Sequence, residues 1–192
     1  MAELGGDGLE TAQAIALLGF VILAVLVALV ARRAGRVLYR TRIAENFRGA
    51  TADLDLRVNQ SLGEVADVID VVRRREVDAA TIRASLAAAQ DAAVRYADEA
   101  RTLNGPASVK LDQARMVEEL ERVERALALV DHGCELASEG ARMERGPEAD
   151  TSIKRGYLNL LHARESFSEH ARAAIEVAEA ASPARSFGRR SG

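Results

Sequence analysis

The chain of 192 residues contains one cysteine, no tryptophan, three prolines and three histidines, and aromatic residues make up 4% of it. Each shortage removes a class of explanation. A single thiol, Cys134, cannot build an intramolecular disulfide framework or a thiolate zinc site, because both need several cysteines. Three histidines leave little for metal chemistry. Also missing are a phosphate-cradling GxxxxGK[ST] loop, a GxGxxG turn after a strand, a GxSxG elbow and an HExxH pair. Catalysis therefore has no recognisable residue set, and the expectation is a protein that is not an enzyme and takes no cofactor.

What the chain does have is unevenly placed. Apolar residues make up 48% of the whole, yet residues 12–31 read AQAIALLGFVILAVLVALVA, with Gln13 the one strongly polar side chain. Twenty helical residues at about 1.5 Å each span the ~30 Å hydrocarbon core of a bilayer. A cleaved signal peptide would carry basic residues before the run and small residues at a cleavage point after it. Here Glu3, Asp7 and Glu10 precede the run, and Arg32-Arg33 follow it directly. The expectation is one transmembrane helix at 12–31.

Charge sets its orientation. Residues 32–48 carry Arg32, Arg33, Arg36, Arg40, Arg42 and Arg48 against Glu45 alone, while the first 31 residues carry no basic side chain. Basic flanks stay on the cytoplasmic side, so residues 1–11 are expected outside the cell membrane and the C-terminal body inside. Arg32, Arg33, Arg36, Arg40 and Arg42 are then membrane-surface residues of a juxtamembrane helix spanning 32–49 and ending at Gly49. Eleven outer residues are too few to form a sensor domain. Arginine outnumbers lysine 24 to 2, a ratio expected of a GC-rich, bacterial genome.

Beyond the collar, apolar residues recur by alternating steps of three and four in four stretches: Val58 to Val72, Ile82 to Leu103, Met116 to Ala141 and Ile153 to Ala178. In the last of these Arg164 stands where an apolar residue is due. This rhythm puts one apolar stripe on each of four helices, and no alternation of period two competes with it. Asn104-Gly105-Pro106 and Gly146-Pro147 break the pattern clearly. Between the first two stretches only Arg73 to Asp78 intervenes, and the rhythm slips by one residue. A turn capped by Asp78, with a new helix from Ala79, accounts for the slip, and a single kinked helix is the alternative. The predicted fold is all-α: a single N-terminal transmembrane helix, then a cytoplasmic antiparallel bundle of about four helices over 50–182, then a flexible basic tail at 183–192.

Within the body, Cys134 falls on the apolar stripe and His132 about 200° away around the helix, so the two do not share a ligand. His162 and His170 are out of line by about 80°, and no Glu-x-x-His pair accompanies them. The segment 152–165 is the densest mixture of aromatic, basic and amide side chains. On it Tyr157 and Leu160 lie on the stripe, leaving Leu158, Leu161 and Glu165 as the line predicted to meet a partner or another copy. Residues 49–182 carry 17 basic and 25 acidic side chains, a net charge of −8 that argues against nucleic acid as a partner. The expected partners are the lipid bilayer and an unknown protein or a second copy of the chain. The expected function is a membrane-anchored scaffold or adaptor, with a regulatory module coupled to another membrane protein as the alternative. The layout of short outer N-terminus, one span and cytoplasmic bundle is similar to that of LemA-type proteins and of division regulators with spectrin-like repeats. That similarity assigns no site residue.

Overall fold

The computed structural model describes the backbone of residues 7–139 and 146–181, and the side chains of these except 7–19, 21, 22, 36–38 and 139. Every regular element among the described residues is helical: α1 (Asp7–Arg73), α2 (Arg83–Thr102), α3 (Lys110–Glu139) and α4 (Gly146–Ala180), with 3₁₀ turns at Ala79–Ile82 and Ala107–Val109 leading into α2 and α3. The chain falls into two compact units, Met1–Arg42 and Ile43–Gly192.

In the first unit every described side chain at positions 20, 23–35, 39 and 40 is exposed. Among the described residues no helix is long and apolar enough to cross a membrane. Half of the 12–31 run, at 12–19, 21 and 22, lies outside the described side chains, as do Arg36, Ala141 and the tail at 183–192.

The second unit is an antiparallel four-helix bundle. Arg57 of α1 meets Glu99 of α2, and Arg101 and Arg83 of α2 meet Glu121 and Glu135 of α3. Gly133 and Gly156 place α3 against α4, and Arg48 and Asn59 of α1 meet Glu179 and Ser168 of α4. Partners run in opposite directions: from Arg83 to Arg101 the α3 partner falls from Glu135 to Glu121, from Arg48 to Asn59 the α4 partner falls from Glu179 to Ser168, and Gly133 meets Ile153 while Gly156 meets Val130. The four helices therefore form a closed ring in which each touches its neighbours in sequence and α4 returns to α1. The stripes meet inside it: Leu54, Val58, Leu62 and Ile69 of α1, Leu86, Ala93 and Ala100 of α2, Leu120, Val123, Leu127 and Val130 of α3, and Leu160, Phe167 and Ala174 of α4 are all buried.

Four details differ from the sequence reading. Gly49 ends nothing: α1 continues through it, Gly49 is exposed with open space around it, and the buried line already includes Ala44 and Phe47. The α3 stripe stops at Cys134, because Ala137 is exposed. On α4 the core line runs through Gly156 and Ala163 rather than Tyr157 and Arg164, which are half-buried. Small residues are needed there: a Cβ on Gly156 would lie 2.6 Å from Val130 Cγ2 and 2.7 Å from the Ala126 carbonyl, and one on Gly133 would lie 2.7 Å from Ile153 Cγ1. Gly105 is required by contact rather than by a left-handed backbone, since no described glycine has positive φ and a Cβ there would lie 2.6 Å from Phe47 Cδ2.

The turn between the first two stretches is real, so residues 52–104 form two helices. Asp78 Oδ1 accepts the Ala80 amide at 3.0 Å and starts the new helix. Before it, Arg75 adopts φ 60°, the Glu76 amide donates to the Val71 carbonyl at 3.1 Å, and the Arg75 amide donates to the Val72 carbonyl at 2.8 Å. This is a Schellman ending with arginine in the left-handed position that glycine usually takes. The absence of that glycine is why the break looks weak in the sequence. At the other turn Gly146-Pro147 opens α4, where proline's missing N–H costs nothing.

Candidate interaction surfaces

The line predicted to meet a partner divides in the structure. Leu158 is 44% exposed and Glu165 is exposed, one on each side of Leu161, which is half-buried and packed against the core. Leu161 belongs to the rim of the bundle, because the small core residues Gly156 and Ala163 draw α4 inward. Leu158 and Glu165 remain as the outward positions.

Beside them runs a polar seam between α1 and α4. Asp55 Oδ1 accepts from Asn59 Nδ2 at 2.9 Å and from Ser168 Oγ at 2.7 Å, and Asn59 Nδ2 reaches Ser168 Oγ at 2.7 Å. One turn along, the Arg164 guanidinium lies over Gly63, with Nη1 3.2 Å from where a Cβ would be. Further on, Arg73 stacks on the Tyr157 ring at 5.4 Å while donating to Asp70 at 2.6 Å. The seam beyond the turn closes with Arg75 and Asp150 at 2.5 Å. Arg73 and Arg74 both donate to Asp70, and these bonds hold its carboxyl below the usual carboxylate range. Arg73-Arg74-Arg75 is thus a set of intramolecular clamps.

The remaining candidates separate in space. Cys134 is fully buried and His132 is exposed on the opposite side of α3. Burial pushes the Cys134 thiol up to about 11, with the Asp131 charge adding to the rise and the Arg83 charge opposing it. His162 is exposed and His170 half-buried, and among the described residues no three metal-binding side chains are grouped. Arg32, Arg33, Arg40 and Arg42 are exposed and take part in none of the ion pairs found among the described residues. A cavity of about 460 Å³ lies at the α1–α2 turn, lined by Val72, Arg75, Asp78, Leu136, Asp150 and Ile153. Its arginine and its acids Glu76, Asp78 and Asp150 are exposed.

Sequence reasoning missed Gln113. This side chain is 4% exposed, and its Nε2 donates to the carbonyls of Ala100, Leu103 and Arg101 at 2.7, 2.9 and 3.3 Å, tying down the end of α2. Its Oε1 accepts Lys110 Nζ at 2.9 Å. A glutamine one turn into a helix carries no spacing signal for such a role. Compared with family models, curated proteins and solved structures, the chain matches none.

Proposed function

We propose that the chain is a single-pass, membrane-anchored adaptor. Residues 12–31 cross the bilayer with the N-terminus outside, Arg32, Arg33, Arg36, Arg40 and Arg42 lie at the cytoplasmic surface, and the helical bundle works there by protein contact rather than turnover. One observation carries the anchor. Phe20, Leu23, Val25, Leu26, Val27, Leu29 and Val30 are 52% to 70% exposed, although they are apolar. At 100° per residue they cover about 220° of the helix, and Ala24 and Ala28 fill the remainder, so the helix has no polar face there. Leaving seven such side chains in water forgoes on the order of 10 kcal/mol, comparable to the whole stability of a domain. A protein groove would cover one side of such a helix, whereas lipid tails surround it.

The adaptor half of the reading is supported by outward Leu158 and Glu165 on α4. Protease accessibility in spheroplasts and in inverted vesicles tests the topology. Cleavage of the bundle is expected only in inverted vesicles, and release of the chain by alkaline carbonate would refute the anchor. For the contact face, Leu158→Arg combined with Glu165→Arg should abolish partner capture from solubilised membranes while leaving helical content unchanged. Undiminished capture would place the contact elsewhere.

A further inference from the structure

Resting on the anchor reading above, the structure points to a more specific ligand for the residues that follow the apolar run. At 100° per residue, Arg32, Arg36, Arg40, Arg33 and Tyr39 fall within an arc of about 120° on one side of α1. Positions 34, 37 and 38, which are alanine, valine and leucine, occupy the opposite side. Arg32, Arg33 and Arg40 are exposed, none is paired with an acid among the described residues, and Tyr39 is 66% exposed. Several arginines of the bundle are instead consumed internally, as Arg57, Arg73, Arg83 and Arg101 are in carboxylate clamps. We infer that this arc is a binding site for the phosphate groups of anionic phospholipids, with Tyr39 seated among the headgroups.

Three physical points support it. Positions 32 to 40 rise about 12 Å along the helix, while the headgroup layer of one leaflet is roughly 5–7 Å deep, so the outer arginines must reach back to touch it. In an α-helix every Cα–Cβ bond tilts toward the N-terminus, and here the apolar run lies on that side, so each long side chain starts in the direction of the bilayer. Arginine's planar fork matches a phosphate with two parallel hydrogen bonds, and an aromatic ring with one polar end suits the same layer. Lipid is favoured over a dissolved polyanion because the arc is continuous in sequence with the apolar run, which a soluble ligand would leave uncovered.

The test uses the full chain reconstituted in phosphatidylcholine vesicles with trace spin-labelled phosphatidylglycerol or spin-labelled phosphatidylcholine. The motionally restricted fraction of each label reports lipid held at the protein. A several-fold preference for phosphatidylglycerol is expected, shrinking in 0.5 M NaCl because exposed charges are screened, and unaffected by 10 mM inorganic phosphate. Replacing Arg32, Arg33, Arg36 and Arg40 together by glutamine should bring the ratio to about one, while the variant still floats with neutral vesicles. Equal association of both lipids with the wild-type chain, an unchanged ratio in the variant, or displacement by inorganic phosphate overturns the headgroup site. If the wild-type chain floats with neutral vesicles but shows no preference, the anchor stands and the site falls. If it floats only with anionic vesicles and needs the four arginines to do so, the site stands and the spanning helix falls.

Discussion

Glycine is the residue on which the bundle's closest contact turns. A helix gives up roughly 1 kcal/mol for each interior glycine relative to alanine, so Gly133 and Gly156 need a compensating reason, which is the direct approach of the α3 and α4 backbones. Gly156→Ala should destabilise the protein by about 1–3 kcal/mol despite its better helix propensity, because the new methyl meets Val130 and the Ala126 carbonyl and the two helices must part. Gly49→Ala, at an exposed position of α1 with nothing within 4 Å, should instead stabilise by about 0.5–1 kcal/mol. Denaturant melts of both variants check the pair, and equal effects would refute the close-approach account. The thiol of Cys134 supplies a second handle. Its folded value of about 11 lies above the ordinary 9.0, so the neutral form favours the native state below pH 9, and this advantage is lost as pH rises toward 11. Wild type should therefore lose on the order of 2 kcal/mol more stability than Cys134→Ala between pH 8 and 11, and thiol labelling at pH 8 should proceed at the rate of unfolding. At this scale the burial of Cys134, Leu127 and Val130 was legible from spacing. The displacement of Tyr157 and Arg164 to the rim was not, because a stripe filled by Gly156 and Ala163 is invisible to a search for large apolar residues.

The ends of the helices hold more of the information that fixes the bundle than their middles do. Asp78 starts the segment leading into α2, Gln113 ties off its end, and Arg75 in the left-handed region ends α1. A non-glycine residue in that conformation costs about 1 kcal/mol, so Arg75→Gly should raise stability by roughly 0.5–1 kcal/mol. Its exposed pairing with Asp150 offsets little, and Asp150→Asn should change stability by less than about 0.5 kcal/mol. Gln113→Ala should have the opposite sign and larger size, about 1–3 kcal/mol, because it strands carbonyls at a buried helix end. Chemical denaturation of the three variants reads all of these values. A destabilised Arg75→Gly would mean that the turn owes its shape to the ion pair. Proline and glycine punctuation made two of the three turns visible in advance. The remaining turn depends on hydrogen bonds between backbone groups, which the side-chain sequence does not record, and the supposed end at Gly49 reflects the same limit in reverse.

Four stripes of similar length joined by short connections leave an up-and-down ring as the simplest way to bury them together, and for this reason the bundle was readable from the sequence as a whole. Three of its four helix contacts join neighbours in the chain. The fourth, between α1 and α4, brings together residues as distant as Arg48 and Glu179, at 3.8 Å. With an even number of antiparallel helices, the chain enters and leaves this unit at one pole. The connectivity of the bundle is therefore close to interchangeable with that of a closed loop. A short glycine-serine bridge from residue 181 back to 43, with new ends opened at the exposed Asn104, should yield a circularly permuted bundle of the same helical content. In that permutant α1 and α4 become a hairpin and α2 and α3 supply the two ends, so the Asp55–Asn59–Ser168 seam turns from a contact between the two ends of the bundle's chain into one within a single hairpin. Cooperative melting within a few degrees of the unpermuted bundle is the expected result.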